Sequence, residues 1–357
     1  MIMLFLNKHL IMKKNSNIIL LSLSVFILSI TFNSCKQRPG RSFSFAFYNV
    51  ENLFDTIDDP NVRDEEFLPD SKLHWNTKKY EHKLDNLAKV MSSIDTSGFP
   101  TLFGLSEVEN IGVLNDLVNH KGLQVAGYQI IHKDSPDERG IDVALLYQKA
   151  VYTPVETRFI RLVFPWEPDF ATRDIIYSKG VIFGNDTLHV FVNHWVSRWG
   201  GQEKTEPFRE FTGKLLKKIT DSIFSVQPDA NILIAGDLND DPDNESVLDD
   251  LKARPVDKPL KKESLYSLSY KKFKTGEGSL YYKSWDMFDQ IIVSTSMLKG
   301  NNGLKVNAPD QTVIKHDWML YHPKKGPARP NRTAGSKYYG GYSDHLPVFI
   351  PMTAYKK

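Results

Sequence analysis

The residues best suited to chemistry lie in the segment from Asn231 to Asp241, which reads NILIAGDLNDD. A short apolar run ends at Gly236, a residue that lets the chain turn sharply. Asp237 and Asn239 follow two positions apart, so both side chains can point the same way from the end of a strand. A carboxylate beside an amide suits a phosphate held next to a hard divalent cation. Turns also favour Asp and Asn, so this segment alone leaves a plain turn equally open.

Further polar side chains occur in the same setting, at the edge of a short apolar run that is typical of a buried strand. In sheet-centred enzymes, active sites gather at the ends of strands. Any one of these residues is more often a turn former or a cap than a catalyst, but turn chemistry alone does not account for all of them. The set comprises Asn49, Glu107, His194, Asp237, Asn239, Asp289, Asp344 and His345.

The elements that must position these side chains follow from residue periodicity. Strands are predicted at 42–50, 101–106, 128–132, 141–147, 159–163, 174–183, 187–193, 232–235, 289–294 and 346–350. Amphipathic helices are predicted at 78–94, 113–118, 207–223 and 245–251, with a loop at 197–206 and Pro207 in the first turn of its helix. Strands interleaved with helices indicate the α/β class.

The first 35 residues read as a secretory signal rather than as part of the fold. Lys13 and Lys14 precede an apolar run that is shorter than a membrane-spanning helix, and the run ends at Cys35. This single cysteine excludes a disulfide within the chain. Its position resembles the lipidated cysteine of bacterial lipoproteins, and a simple signal peptide is the alternative. We therefore expect export to the cell envelope with a lipid anchor at Cys35, or otherwise a periplasmic or secreted protein, with residues 36–357 as one domain.

The charge balance does not indicate a general polyanion binder. The 357-residue chain has 45 Lys and Arg against 43 Asp and Glu, and three of the lysines lie in the leader, so the remainder is close to neutral. Affinity for nucleic acid would therefore depend on a local patch. The segment Leu260–Tyr282 interleaves lysines with aromatic residues and is one candidate. A solvated hairpin with an aromatic inner face is the slightly favoured alternative.

Seven motifs occur in order along the chain: YNVEN, LSEVEN, RGIDVALLY, NHWVSRWGG, GDLNDDP, DQIIVS and GYSDHLPV. Together they resemble the endonuclease/exonuclease/phosphatase superfamily over roughly Ser42 to Pro351, and especially its bacterial secreted and lipoprotein members. The resemblance implies a four-layer sandwich of two packed mixed β-sheets flanked by helices, as in deoxyribonucleases. It also implies a Mg²⁺-dependent phosphoesterase, with Mn²⁺ as a second possible metal.

The resemblance assigns a metal role to Glu107 and Asp344. Asn49 matches an asparagine that helps to place the metal or the phosphate. Arg198 lies in a polar loop near a motif, where a guanidinium can grip phosphate in a bidentate manner, and a solvated loop arginine is equally open. The absence of a Cys/His cluster with zinc spacing agrees with a hard metal ion.

The resemblance also assigns catalytic roles. Asp237 would orient or deprotonate the attacking water, and Asn239 would hold a phosphate oxygen. His345 would donate to a non-bridging oxygen or act in proton transfer, with Asp289 holding its imidazole. His194 matches a second histidine that contacts the phosphate, and a core histidine is its main competitor.

The substrate stays open at this stage, because one fold serves many substrates. A secreted or surface endonuclease cleaving phosphodiesters is the first hypothesis. A phosphomonoesterase or phospholipase-type phosphodiesterase, acting on inositol phosphates or lipid head groups, is the second. The third is a non-catalytic surface binding module, against which the complete residue set argues. A monomer is expected.

Overall fold

The computed structural model describes residues 40–257 and 259–355, so the predicted leader and Cys35 lie outside the described residues. The strands, in chain order, are β1 Gly40–Leu53, β2 Leu102–Val108, β3 Tyr128–His132, β4 Asp142–Gln148, β5 Tyr152–Ile160, β6 Ile175–Ile182, β7 Asp186–His194, β8 Ile232–Asp237, β9 Ala253–Pro255, β10 Leu265–Ser267, β11 Leu280–Tyr282, β12 Ser284–Asp286, β13 Asp289–Ser294, β14 Leu304–Val306, β15 Thr312–Val313, β16 Leu320–Tyr321, β17 Arg329–Pro330 and β18 Val348–Tyr355. The α-helices are α1 Thr77–Ser92, α2 Ile111–Asn119, α3 Gln202–Val226, α4 Tyr270–Lys274 and α5 Thr295–Lys299. Shorter 3₁₀ turns lie at Glu65–Phe67, Gln124–Ala126 and Asp317–Met319, and a π-helical turn lies at Ser246–Asp250.

Within the described residues, the long strands form two seven-stranded sheets. The first has the order β14-β18-β1-β2-β4-β3, with β15 paired to β18, and the second has the order β5-β6-β7-β8-β13-β10-β9. Each sheet is mixed, because β1 and β2 are parallel in the first and β7 and β8 are parallel in the second, among antiparallel neighbours.

The sheets pack face to face because alternate side chains of each strand are apolar toward the partner sheet. On β1, Phe43, Phe45 and Phe47 enter the core between the sheets, together with Val190 and Val192 of β7. The opposite face of the first sheet packs against α1 and α2, and the outer face of the second sheet packs against α3. The predicted four-layer sandwich of two packed mixed sheets with helices outside is therefore confirmed.

Local differences from the sequence predictions have physical causes. Helix α3 begins at Gln202, so the predicted loop is shorter, and Pro207 lies in the second turn of the helix instead of the first. The strand predicted at 159–163 is misplaced, because β5 ends at Ile160. Exposed polar residues interrupt the apolar ones along β5, so its sequence contains no continuous apolar run that would indicate a strand. The hairpin expected for Leu260–Tyr282 is also wrong, because the segment contains β10, α4 and the first strand of a hairpin that ends at Asp286.

Gly236 is required for close packing between two strands and does not form a turn. It lies inside β8 opposite Asn193 of the parallel strand β7, and a Cβ at this position would lie 2.3 Å from the Asn193 carbonyl oxygen. The turn comes three residues later, where Asn239 has a positive φ of 51°.

We expect Gly236→Ala to destabilise the fold by about 1–3 kcal/mol, because the added methyl overpacks two hydrogen-bonded strands. Urea unfolding measures this difference. Gly122→Ala is the matched control, since its Cβ would meet nothing closer than 3.4 Å. Equal stability of the Gly236→Ala variant and the wild type would refute the packing argument.

Among the described residues, no helix is both long enough and apolar enough to cross a lipid bilayer.

Candidate active site

Strand register places three of the predicted residues in one row across the second sheet. His194, the last residue of β7, pairs with Asp237, the last residue of β8. Asp237 in turn pairs with Asp289, the first residue of β13. In the first sheet, Asn49 of β1 lies beside Ser106 of β2, one residue before Glu107. The packed sheets bring these two groups of side chains together at one end of the sandwich.

Asn49 joins the two sheets at the site. Its amide nitrogen donates to Glu107 Oε1 at 3.1 Å and to Asp237 Oδ2 at 2.9 Å. Its amide oxygen accepts the backbone N–H of Glu51 at 2.9 Å, which fixes the orientation of the amide. Asn49 therefore presents N–H groups to the site. Of the two roles predicted for it, this orientation favours phosphate placement over metal ligation.

Glu107 is held in a conformation that few non-glycine residues adopt. Its φ is 62°, in the left-handed region, at the point where the β2 register shifts. The backbone N–H of Asn52 donates to Glu107 Oε2 at 3.0 Å. Backbone strain of this kind persists where surrounding contacts over-determine it, and such positions cluster at functional sites.

Asp237 is fully buried yet surrounded by polar groups. Its Oδ1 accepts the backbone N–H of Asn239 at 2.9 Å, and its Oδ2 lies 3.7 Å from Nε2 of both His194 and His345. Burial raises the pKa of Asp237 to about 6, although the neighbouring His345 imidazolium lowers it. The Asn239 amide nitrogen donates to the Trp195 carbonyl at 3.0 Å, so this side chain is held in place by the chain that follows β7.

His345 and Asp289 form a buried pair. The His345 Nδ1 lies 2.7 Å from Asp289 Oδ2, so Nδ1 carries a proton and Nε2 faces Asp237. Burial alone would lower the pKa of His345, but the carboxylates of Asp289 and Asp237 outweigh burial and hold that pKa well above 6.5. His345 is therefore a protonated imidazole at neutral pH, able to donate from Nε2. Ser343 anchors its turn by donating to the Asn49 carbonyl at 2.7 Å.

His194 has the opposite protonation. Burial lowers its pKa well below 6.5, and the nearby Arg173 and Arg139 guanidinium groups add to the effect. Its Nε2 lies 3.7 Å from Asp237 and 4.0 Å from Glu107, whereas its buried Nδ1 has no hydrogen-bond partner among the described residues. The site thus combines one neutral and one protonated imidazole.

Comparisons with known proteins identify the family of this chain. A sequence model of the "Endonuclease/Exonuclease/phosphatase family" matches residues 44–354. The chain belongs to this family. A search of curated proteins with the sequence found no significant match.

Solved structures of the same fold align over nearly the whole family domain. A humanised TDP2 of D. rerio is 13% identical with a TM-score of 0.52, covering 87% of this chain and 98% of that one. The human Nocturnin catalytic domain with bound sulfate is 15% identical with a TM-score of 0.53, covering 90% and 98%. A mannosyl-6-phosphatase of Bacteroides thetaiotaomicron is 15% identical with a TM-score of 0.51, covering 87% and 99%. At these identities, the comparisons establish the fold.

The family implies a divalent metal, and the donor set fits one. The carboxylates of Asp237 and Asp289 face one imidazolium, His345, and Glu107 adds a third carboxylate on the other side of Asn49, which leaves an excess of negative charge at the site. Oxygen or nitrogen atoms of Asp237, Asp289 and His345 lie within 4.8 Å of one another. Asn49 donates to both Glu107 and Asp237, so a hard cation held by Glu107 would lie close to the Asp237 carboxylate.

Two predicted residues are engaged elsewhere. The carboxylate of Asp344, predicted for the metal site, lies 3.2 Å from the Arg332 guanidinium and outside the cluster of ligand atoms. The guanidinium of Arg198, predicted for the phosphate, donates to the Asn239 carbonyl at 2.9 Å and to Asp240 at 3.0 Å. It also lies over the ring of Phe288, so Arg198 braces the turn that carries Asn239. A direct contact of either residue with metal or phosphate stays a prediction.

The acidic residues after Asn239 are buried, although this segment by itself also reads as a plain turn. Asp240 and Asp241 are 1% and 8% exposed. Asp240 pairs with the buried Arg209 of α3 at 2.7 Å. The Asp241 side chain accepts the backbone N–H of Met287 at 2.8 Å. These contacts hold the GDLNDD turn rigid beneath the site.

The sequence analysis missed a buried charged cluster behind Asn49. Glu51 accepts hydrogen bonds from Arg332 Nε at 2.9 Å and from the Thr333 backbone at 2.5 Å, while Lys83 of α1 donates to the Tyr342 carbonyl at 2.8 Å. Burial raises the pKa of Glu51 to about 7 and lowers the pKa of Lys83 to about 8. The sequence did contain a signal for this cluster, because Lys83 lies among the apolar positions of α1 that face the core.

Proposed function

We propose that the protein is a divalent-metal-dependent phosphodiesterase that cleaves nucleic acid at the cell surface. The family supports a phosphoesterase. The observation that favours a polymeric nucleic acid is a pair of exposed aromatic side chains, Trp199 and Tyr282, on segments that contact site residues through Arg198 and Leu280; we call this pair the aromatic rim. Trp199, five residues after His194, is 90% exposed. Tyr282 is 69% exposed. Large aromatic side chains at such exposure suit stacking against bases, which every base permits through its π-face.

The second aromatic residue is joined directly to the catalytic turn. Tyr282 lies on the β11–β12 hairpin, and Leu280 of that hairpin forms a β-bridge with His345. The Leu346 backbone N–H also donates to the Ser279 carbonyl at 2.7 Å. On the same hairpin, the Lys315 ammonium lies over the ring of Trp285, 4.0 Å from the ring centroid. A base stacked on this hairpin would hold its strand close to His345.

The side chains of the site supply complementary proton transfers. Asp237 is ionised above about pH 6 and accepts a proton from the attacking water, whose approach its buried carboxylate orients. His345, protonated and held by Asp289, donates to the developing charge on phosphate or leaving oxygen. The neutral His194 faces the same space and holds a phosphate oxygen, while the Asn49 N–H groups position the carboxylates of Glu107 and Asp237. A base and an acid with pKa values driven apart by their surroundings are typical of acid–base catalysis.

When bound at Glu107, a divalent cation would neutralise charge on the phosphate and lower the pKa of water. Mg²⁺ is the first choice for carboxylate oxygens, and Mn²⁺ accepts the same ligands.

A phosphomonoesterase is the second candidate, and one observation favours it. Three of the five lysines of the Leu260–Tyr282 segment are neutralised locally, since Lys271 pairs with Asp310, Lys272 with Glu277 and Lys274 with Asp243. This pairing weakens the polyanion surface that backbone binding normally uses. Hydrolysis rates on DNA, bis-p-nitrophenyl phosphate and a sugar monophosphate, measured with Mg²⁺, decide between the two. Turnover of the monophosphate alone would overturn the nuclease proposal.

Truncating the aromatic rim should weaken binding of a polymeric substrate. Trp199→Ala and Tyr282→Ala are each expected to raise KM for single-stranded DNA by about 5- to 100-fold, as loss of one stacked base would. The same variants should leave kcat/KM for bis-p-nitrophenyl phosphate unchanged, because this small diester does not reach the rim. Val226→Ala, an exposed apolar control on α3, should change neither. Unchanged KM in both rim variants would remove the support for nucleic acid.

Export is part of the proposal. The leader with Lys13, Lys14 and the apolar run to Cys35 supports transfer to the cell envelope and a lipid anchor at Cys35. Cys35→Ala in the producing cell should release the protein from the membrane fraction if the anchor exists.

A further inference from the structure

A second group of metal-ligand side chains lies at the β3–β4 hairpin, apart from the catalytic residues. His132 ends β3, Asp142 begins β4, and Asp134 lies in the loop between them. Each offers a ligand atom, and these atoms lie within 4.8 Å of one another. No step proposed for the catalytic site uses any of the three.

The hydrogen bonds of His132 leave its second ring nitrogen facing an acceptor. Nδ1 lies 3.1 Å from the Val143 carbonyl oxygen, which can only accept, so Nδ1 carries a proton. Nε2 lies 3.0 Å from Asp134 Oδ1, and in a neutral imidazole this atom holds a lone pair. The lone pair of His132 Nε2 then faces a lone pair of Asp134 Oδ1. This contact is unfavourable unless a cation lies near both atoms or Nε2 binds a second proton. An imidazole that donates its other N–H to a backbone carbonyl is the arrangement typical of metal-bound histidine.

Asp142 adds a buried carboxylate without a counter-charge. The residue is 3% exposed, and its Oδ1 accepts the Ser135 backbone N–H at 3.0 Å. Within residues 40–257 and 259–355, no Lys or Arg forms an ion pair with Asp142 or Asp134. The arginine of this loop, Arg139, lies 3.6 Å from Asp137 instead. Buried charges are ordinarily paired or coordinate metals.

We propose that His132, Asp134 and Asp142 bind a divalent transition cation, Zn²⁺ in the first instance. One imidazole nitrogen and two carboxylates, with water completing the tetrahedron, match the ligands of zinc and of related transition metals. Ca²⁺ fits less well, because it takes six to eight oxygen ligands. The His132 side chain is 2% exposed, so its ring is already fixed by packing before an ion arrives.

The ion would brace a loop that supports the catalytic site. Asp137, in the same loop, pairs with Arg173 at 2.9 Å, and Arg173 donates to the Trp195 carbonyl at 2.5 Å. Trp195 follows His194 directly. Closing the β3–β4 loop on a metal would therefore brace the segment that follows His194, which makes this a structural site.

Zn²⁺ titration of chelator-stripped full-length protein tests the proposal. Zinc bound to the catalytic carboxylates is removed from the measurement by working in a Glu107→Gln, Asp237→Asn background. In that background, calorimetry should show one site per chain, and Zn²⁺ should raise Tm. His132→Gln and Asp142→Asn, added singly, should each weaken this binding at least tenfold and abolish the rise in Tm. Asp70→Asn, an exposed acid elsewhere, is the control and should retain both.

Circular dichroism without metal separates loss of the site from loss of the fold, since only variants that match the background spectrum are compared. Absence of a Zn²⁺ site in the folded background protein would overturn the proposal. Undiminished binding in His132→Gln and Asp142→Asn would overturn it as well, by placing the zinc elsewhere.

Discussion

Asp237→Asn is expected to lower kcat by about 10²- to 10⁴-fold, the contribution typical of a general base. The amide keeps the shape of the carboxylate, but its single oxygen can accept from only one of Asn49 and Asn239, and it cannot take a proton from water. The fold should survive. Burial raises the pKa of Asp237 to about 6, so at pH 7.5, where Asp237 is ionised in both states, its charge destabilises the folded state relative to the neutral form. Removing the charge should therefore leave Tm unchanged or raise it at pH 7.5.

Initial rates on a phosphodiester, together with thermal unfolding of the same samples, measure both halves of this prediction. Asp243→Asn is the matched control, because Asp243 lies in the same turn but is partly exposed and pairs with Lys274. It should retain near-wild-type activity. A near-normal kcat in Asp237→Asn would mean that another residue activates the water.

His345→Ala is expected to lower kcat by a similar factor, about 10²- to 10⁴-fold, because it removes the protonated imidazole that faces Asp237. The fold should again persist, since His345 lies in a turn before β18 and outside the apolar clusters. The measurement is kcat at pH 7, with circular dichroism to verify folding. Retained activity would exclude His345 as the acid.

Asp289→Asn tests how His345 is kept protonated. In the wild type, the carboxylates of Asp289 and Asp237 hold the pKa of His345 well above 6.5, so the acid form persists through neutral pH. Without the Asp289 charge, that pKa falls, and the imidazole loses its proton at lower pH. The alkaline limb of the pH–rate profile should therefore move downward by about 1–3 pH units, the range for loss of one close counter-charge. An unmoved limb would show that His345 does not set it.

The sequence was sufficient to predict the strand-end residues because their setting is local. Asp237 and Asp289 each adjoin an apolar run, and strand pairing alone then places them side by side. No local sequence pattern predicts which residues of one sheet face which residues of the other. The bond from Asn49 to Asp237 joins residues 188 positions apart, and it exists only because the two sheets pack face to face.

Tertiary packing also explains the residues that were interpreted wrongly. Asp240 reads as a turn residue in the sequence, but α3 brings Arg209 over it and buries both. Lys83 stands where helix periodicity expects an apolar residue, and its burial depends on the distant Thr333 and Tyr342. Gly236 was explained by backbone freedom, whereas the cause is the close approach of Asn193 from a neighbouring strand. In each case, the deciding partner lies far along the chain.

We propose metal-dependent cleavage of phosphodiester bonds at the Asn49–Glu107–Asp237–Asp289–His345 site. The most direct test is nicking of supercoiled plasmid by the purified protein with Mg²⁺, with EDTA, and with the Asp237→Asn variant at equal concentration. We predict nicking with Mg²⁺ that EDTA abolishes and that the variant lacks. No nicking by folded wild-type protein, or equal nicking by the variant, would contradict the claim.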